Sequence, residues 1–234
     1  MKHLIIILII SYPLFSFLND PKERTAATVT EDNYTDPFSM ISEGQSLLKE
    51  GDLVVRLNRD PMSQYIKNFN RHDKSFSHAG IVLYENGYPY VFHIINGEEN
   101  PDEKLRKDSL SRFCNPRKNI AYGIFRYDMN AGEIKILRDL IHTWYGQGLQ
   151  FDSAFNLKSD DRMYCSEMIR KALIKATAKR ISIETTKLTN TEVRLFSAYT
   201  HHPISYVSNL QIVCIDELYI NPFCHLIKEY NYDK

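Results

Sequence analysis

Net charge is the first thing this sequence lacks, because 29 Lys and Arg are matched by 29 Asp and Glu. Without a basic excess there is no field to attract phosphate backbones, and nucleic-acid binding is set aside. Glycine and proline are scarce, nine of each in 234 residues, which excludes collagen-like and linker-dominated chains. Cysteine is scarcer still. Cys114, Cys165, Cys214 and Cys224 form no Cys-x-x-Cys pair, so a zinc ribbon or a thioredoxin-type motif is absent. There is no phosphate-cradling Gly-rich loop and no Gly-x-Ser-x-Gly elbow. What remains is 43% hydrophobic and 12% aromatic, enough apolar surface for a folded core of one substantial domain.

The N-terminus differs from the rest. Lys2-His3 precede an apolar run from Leu4 to Ile10, then Ser11-Tyr12-Pro13 and Leu14 to Leu18. A basic start with a short apolar run reads as a secretory signal over 1–18, or an uncleaved anchor, and Pro13 makes it a poor membrane span. No cysteine follows it, which argues against a lipoprotein anchor. Residues 19–38 read as a polar linker and 39–234 as one catalytic domain. The expected location is therefore outside the cytoplasm, in a periplasm or cell envelope and close to a membrane. There two cysteines can oxidise, with Cys214 to Cys224 or to Cys114 as candidate pairings. Adjacent residues such as Cys224-His225 rarely point at one ion, so no metal is expected.

Along the domain, 39–50 predict a short helix and Leu53–Leu57 a strand after Gly51-Asp52. Ser77–Tyr84 read as a buried strand and Tyr88–Ile95 as its return, joined by Asn86-Gly87, the strongest short-range hairpin signal. A helix is expected over 103–113 and a strand over Ile120–Arg126. Leu137, Leu140, Ile141 and Trp144 recur at helical spacing within 131–145, as do Cys165, Met168, Ile169, Ala172 and Leu173 within 164–178. Residues 179–205 read as a surface excursion and Gln211–Ile215 as a last strand, so the class is α+β.

Three residues stand out for chemistry. Cys165 opens a helix, where free backbone N–H groups and the helix dipole favour a thiolate and can hold an oxyanion beside it. By itself, a cysteine on an apolar stripe is more often simple packing. The hairpin changes that balance. A two-residue turn pairs Glu85 with Tyr88, which sets His78 and His93 on one sheet face as diagonal neighbours with Gly80 between them. A thiol, an imidazole and a polar group that fixes the imidazole tautomer are the requirements of nucleophilic cysteine catalysis. Gly80 would leave room for another element to approach, and the sequence does not say which. His142, His201 and His202 fall on polar surfaces.

Gly51-Asp52-Leu53-Val54-Val55-Arg56, Ser77-His78-Ala79-Gly80-Ile81-Val82 and Tyr164-Cys165-Ser166-Glu167, in that order, resemble the circularly permuted papain-like cysteine hydrolases, in the YiiX/YebB-like branch of the NlpC superfamily. Gly148–Phe155, with Phe151-Asp152, and Ile215–Tyr219 also resemble family segments, so the likeness spans most of 45–225. It implies an antiparallel sheet packed on the helix that carries the nucleophile. Carried over, Cys165 is the nucleophile, His78 its base and His93 the orienting third residue, a place where the family often has Glu. Tyr164 would line the pocket and the Cys165 N–H would form part of the oxyanion hole, whereas Asp52 and Glu167 read as structural. The implied activity is cleavage of an amide or ester through a thioester, on an envelope peptide or lipid-linked substrate, with no cofactor. The rival readings are a lipid acyltransferase or thioesterase using the same pair, and a non-catalytic envelope binding module.

Overall fold

A computed structural model describes residues 36–97 and 100–233. The proposed signal segment and the linker as far as residue 35 lie outside the described residues. The chain enters through α1 (Pro37–Leu47), started by Asp36, whose Oδ1 accepts the Phe38 N–H at 3.2 Å. The predicted helix thus begins within the segment read as linker. There follow β1 (Leu53–Asn58), α2 (Pro61–Ile66) with one 3-10 turn (Lys67–Phe69), β2 (His78–Glu85) and β3 (Tyr88–His93). Next come β4 (Arg106–Asp108), α3 (Leu110–Phe113), β5 (Asn119–Tyr127), α4 (Ala131–Gly146) and α5 (Cys165–Ala176). The chain finishes with β6 (Thr186–Lys187), α6 (Asn190–Thr200), α7 (Ile204–Val207), β7 (Gln211–Ile212), α8 (Ile215–Tyr219) and β8 (Cys224–Asn231).

Six strands form one antiparallel sheet in the order β4-β3-β2-β1-β5-β8. The β2–β3 hairpin has the expected register, Glu85 opposite Tyr88 and Ile81 opposite Phe92. Its turn places Asn86 at φ 51° and Gly87 at φ 80°, the two positive values that suit the twist of the flanking strands. Alternation along the strands then divides the core in two. Leu53, Val55, Ala79, Ile81 and Leu83 pack with Leu137 and Ile141 of α4 and with Met168, Ile169, Ala172 and Leu173 of α5. Val54, Val82, Val91 and Ile124 face the other way, against Ile41 of α1 and Leu110 and Phe113 of α3. Helices therefore cover both faces of the sheet.

Four expectations are corrected. The helix read over 103–113 is split into a three-residue edge strand, β4, and the single turn of α3. The strand read over Gln211–Ile215 shrinks to β7, and Ile215 opens α8 instead. The segment read as a tail holds β8, an edge strand whose pattern is partly solvated and so carries weak alternation. Within 179–205, α6 sends Val193 and Phe196 into the core, so this stretch is not mere surface. All four cysteines are free thiols, and neither candidate disulfide forms.

Candidate active site

The cysteine is set in place by its helix. Glu167 Oε2 accepts the Tyr164 N–H at 3.2 Å, closing the first turn of α5, while Tyr164 Oη accepts the Val213 N–H at 2.9 Å. Ser166 Oγ donates to the Val213 carbonyl at 2.7 Å. Both bonds to Val213 tie the start of α5 to the segment before α8. Cys165 itself is half-buried and borders a cleft-like cavity of about 730 Å³, which also takes in Tyr164, Ser166 and His78. Burial pushes its thiol up to about 11, opposed by the N–H groups of Ala79, Ser166 and Cys165 and by the Ser166 hydroxyl.

The two histidines meet as the hairpin parity requires. His78 Nε2 lies 3.0 Å from His93 Nδ1, both rings are buried, and their planes cross at 78°. Behind them stands a residue that sequence reasoning missed. His93 Nε2 lies 3.1 Å from Asp108 Oδ2, and Asp108 Oδ1 receives Arg106 at 2.9 Å and faces Arg112 at 3.3 Å. The hydrogen bonds from His93 and Arg106 outweigh burial and hold the Asp108 carboxyl down at about 2. An ionised carboxylate can only accept, so His93 Nε2 carries a proton and His93 Nδ1 does not. His93 Nδ1 must then accept from His78 Nε2–H, which leaves the lone pair of His78 on Nδ1. One carboxylate thus fixes both tautomers, and His93 relays a negative charge that it lacks itself.

A buried guanidinium works in the opposite direction. Arg56, the β1 residue directly across from His78, lies 4.5 Å above the Phe113 ring and donates to the Phe113 carbonyl at 2.6 Å. Phe113 in turn touches both imidazoles, at centroid distances of 5.6 and 4.8 Å. Burial first, then the Arg56 charge and His93, hold His78 well below the ordinary histidine range. His93 falls to about 4, burial outweighing the bond to Asp108. At neutral pH the resting site therefore holds a neutral thiol and neutral imidazoles.

The cysteine's helix and the two histidines lie on opposite faces of the sheet. The apolar residues of α5 pack against Ala79, Ile81 and Leu83, whereas the histidines lie against Phe113 on the α3 side. Cys165 and His78 therefore line the same cavity from opposite faces of the sheet, at the end where β2 begins. Gly80 does not make room for α5. A Cβ there would fall 2.5 Å from Val91 Cγ1, 2.9 Å from the Phe92 carbonyl oxygen and 3.1 Å from His93 Cβ, so glycine lets β3 close beside β2. Among the described residues no direct hydrogen bond joins Cys165 Sγ to His78.

The remaining motif segments are scaffold. Asp52 accepts the Lys49 N–H at 2.7 Å and holds the Arg126 guanidinium through both oxygens at 2.7 Å. Asp216 Oδ2 gathers the N–H groups of Arg71, His72 and Asp73 at 2.8, 2.6 and 3.2 Å, and Asp152 accepts those of Ala154 and Asn156. His142 lies edge-on to Phe92, and His202 faces the Ser153 carbonyl at 3.2 Å, both away from the cavity. A signal for Asp108 did exist: Arg106–Asp108 read as a third strand beside β3 puts this carboxylate on the face of His93.

A solved structure described as metalloprotein yiiX from Escherichia coli O157:H7 superposes with a TM-score of 0.62 at 20% identity, covering 78% of this chain and 97% of that one. At this identity the likeness is one of fold. No curated protein matches the sequence. The family model for permuted papain-like amidase enzymes matches residues 47–206, well over half of the chain and inclusive of both histidines, Asp108 and Cys165. The chain belongs to the YaeF/YiiX, C92 family of permuted papain-like amidases.

Proposed function

We propose that the protein cleaves an amide or ester bond through a thioester on Cys165, with His78 as base and His93 and Asp108 as the groups that position it. The observation that carries this reading is the chain Asp108–His93–His78, which leaves Nδ1 of His78 unprotonated in a residue that lines the same cavity as Cys165. Cys165 Sγ attacks the acyl carbonyl as its proton passes to His78 Nδ1. The oxyanion forms beside the Cys165 N–H in the first turn of α5, where N–H groups have no intrahelical acceptor. His78 then protonates the leaving amine or alcohol, and later takes a proton from the water that hydrolyses the thioester. The neutral resting pair makes proton transfer part of the attack rather than a step before it.

The structural relative from Escherichia coli is described as a metalloprotein. Among the described residues no group of three His, Cys, Asp or Glu is placed to hold an ion, and three of the four imidazole nitrogens here are engaged in the relay. The donor set does not fit a metal, and no step runs through one. We place the protein in the cell envelope, near a membrane, on its N-terminal sequence; its substrate there is an envelope peptide or a lipid-linked acyl compound. Transfer to an amine or alcohol instead of water is the second reading, favoured by the apolar walls around Cys165. Incubation with p-nitrophenyl acetate followed by intact mass analysis tests the chemistry. One acetyl group on the Cys165 peptide, absent from Cys165→Ser, is expected; acetylation elsewhere refutes the assignment. Added amine acceptors then divide hydrolysis from transfer by the product formed.

A further inference from the structure

Most polar side chains in the wall of the cavity are already paired. Asn70 gives its NH₂ to the Asp73 and Phe76 carbonyls at 2.9 Å and accepts the Ile215 N–H at 3.1 Å. Ser166 donates to the Val213 carbonyl, Ser63 to Asp60 at 2.8 Å, and Tyr199 bonds Asn96. Two atoms are left over. Asn58 Oδ1 and Ser77 Oγ are buried with no hydrogen-bond partner, in residues 8% and 7% exposed that both line the cavity. Their neighbours fix where they stand. The Asn58 amide bonds the Asp60 carboxylate, which can only accept, so its NH₂ points to Asp60 and its oxygen is the atom left unpaired. The Ser77 N–H donates to the Arg56 carbonyl at 3.0 Å, and Arg56 is the partner of His78 across the β1–β2 pair. Asn58 closes β1 two residues beyond Arg56, and Ser77 immediately precedes His78. Both residues thus belong to the end of the sheet where Cys165 and His78 line the cavity.

Buried polar atoms left unpaired are costly, so two of them in one cavity wall point to a small polar ligand that completes both. We propose that Asn58 and Ser77 hold the water that hydrolyses the thioester, and so are positioning residues for deacylation. This rests on Cys165 being the nucleophile. A water has two protons to give and two lone pairs, and an attacking water must turn one lone pair to the acyl carbon. Asn58 Oδ1 carries no proton, so it accepts one from the water, and the lone pair of His78 Nδ1 accepts the other. The Ser77 hydroxyl, free to rotate, donates to the second lone pair. Three polar partners are typical of a buried water. As the oxygen–carbon bond forms, one water proton passes to His78 Nδ1. As the C–Sγ bond breaks, that proton goes to the sulfur, and the other stays on the carboxylic acid released. An amine or alcohol acceptor has to displace this water, so the two residues bias the site towards hydrolysis.

Acetylation by p-nitrophenyl acetate separates the two half-reactions. Release of p-nitrophenolate in the first turnover reports attack by Cys165, and intact mass analysis reports the decay of acetyl-Cys165. In Ser77→Ala and in Asn58→Leu the decay should slow roughly tenfold, while the first turnover stays within about twofold of wild type. Decay driven by added hydroxylamine, a nucleophile that needs no held water, should also stay within about twofold. Ser77→Ala removes a hydroxyl that bonds no protein atom, so it carries the test if Asn58→Leu melts early. Hydrolytic decay at the wild-type rate in the folded variants overturns the water site. An equal fall in first turnover, hydroxylamine-driven decay and hydrolysis overturns it too, and makes the two residues scaffold. No acetyl group on Cys165 in any of the proteins refutes the nucleophile instead.

Discussion

Replacing Asp108 by Asn keeps the shape of the side chain and removes the charge behind His93. The effect can be worked from the relay. An amide that offers its NH₂ to His93 Nε2 reverses the tautomer there, so that His93 Nδ1 carries the proton. His78 Nε2 must then accept, and its own proton moves to Nδ1, which then cannot take one from the thiol. If the amide instead turns its oxygen inward, a neutral bond replaces a charge-assisted one, and the Oδ1 contacts of Arg106 and Arg112 lose their counter-charge. A hydrogen bond to a charged group contributes about 1.5–3 kcal/mol. The Asp108 carboxyl at about 2, against its reference of 3.8, corresponds to about 2 kcal/mol in favour of the ionised form. If that preference reaches the transition state, kcat/KM falls roughly 10- to 100-fold. The assay is p-nitrophenyl ester turnover across pH, with folding checked by thermal melting. Because Asp108 raises the pKa of His93, the acid limb should also move to lower pH, with the loss in kcat rather than KM. An Asp108→Asn enzyme with the wild-type plateau and limb would refute the relay.

Three further outcomes follow from the same geometry. Arg56→Gln removes a positive charge that depresses His78, so the acid limb of kcat/KM should move to higher pH, opposite to the Asp108 change; a shift downward in the same assay contradicts the assignment. Gly80→Ala forces a methyl into Val91 and the Phe92 carbonyl, and should lower stability by about 1–3 kcal/mol in urea unfolding, whereas an unchanged midpoint would mean that β3 does not sit so close. Glu167 is fully buried and pushed up to about 7, by burial more than its Lys171 pairing lowers it. A raised folded pKa favours the native state at low pH and loses that contribution as pH rises through about 7. Glu167→Gln should therefore gain stability relative to wild type between pH 5 and pH 8, by at most about 3 kcal/mol; a relative loss over that range would reverse the sign.

The parts of the site that could be read from the sequence are those with strong local signals. Asn86-Gly87 selects one hairpin register, and period-two alternation then forces His78 and His93 onto one face, as they are. The apolar spacing from Cys165 to Ala176 delivers α5 with its cysteine at the first turn. Asp108 escaped because Leu105, Leu110 and Phe113 mimic a helical stripe, while the strand between them is three charged or polar residues long. β8 escaped because Tyr230 is its one buried residue, so neither face imposes an apolar alternation on the strand. That Cys165 and His78 border one cavity is a tertiary property: α5 and α3 cover opposite faces, and no local pattern states which residues line the space past the start of β2.

Alkylation of Cys165 by iodoacetamide as a function of pH, in chains with Cys114, Cys214 and Cys224 replaced by Ala, tests the Cys165–His78 pair most directly. If His78 takes the thiol proton during attack, labelling between pH 6 and 7 should exceed that of His78→Ala by roughly 100-fold or more, and the variant should follow the burial-raised thiol near 11. Superimposable profiles for the two proteins would contradict the pair, and with it the proposed route to a thioester.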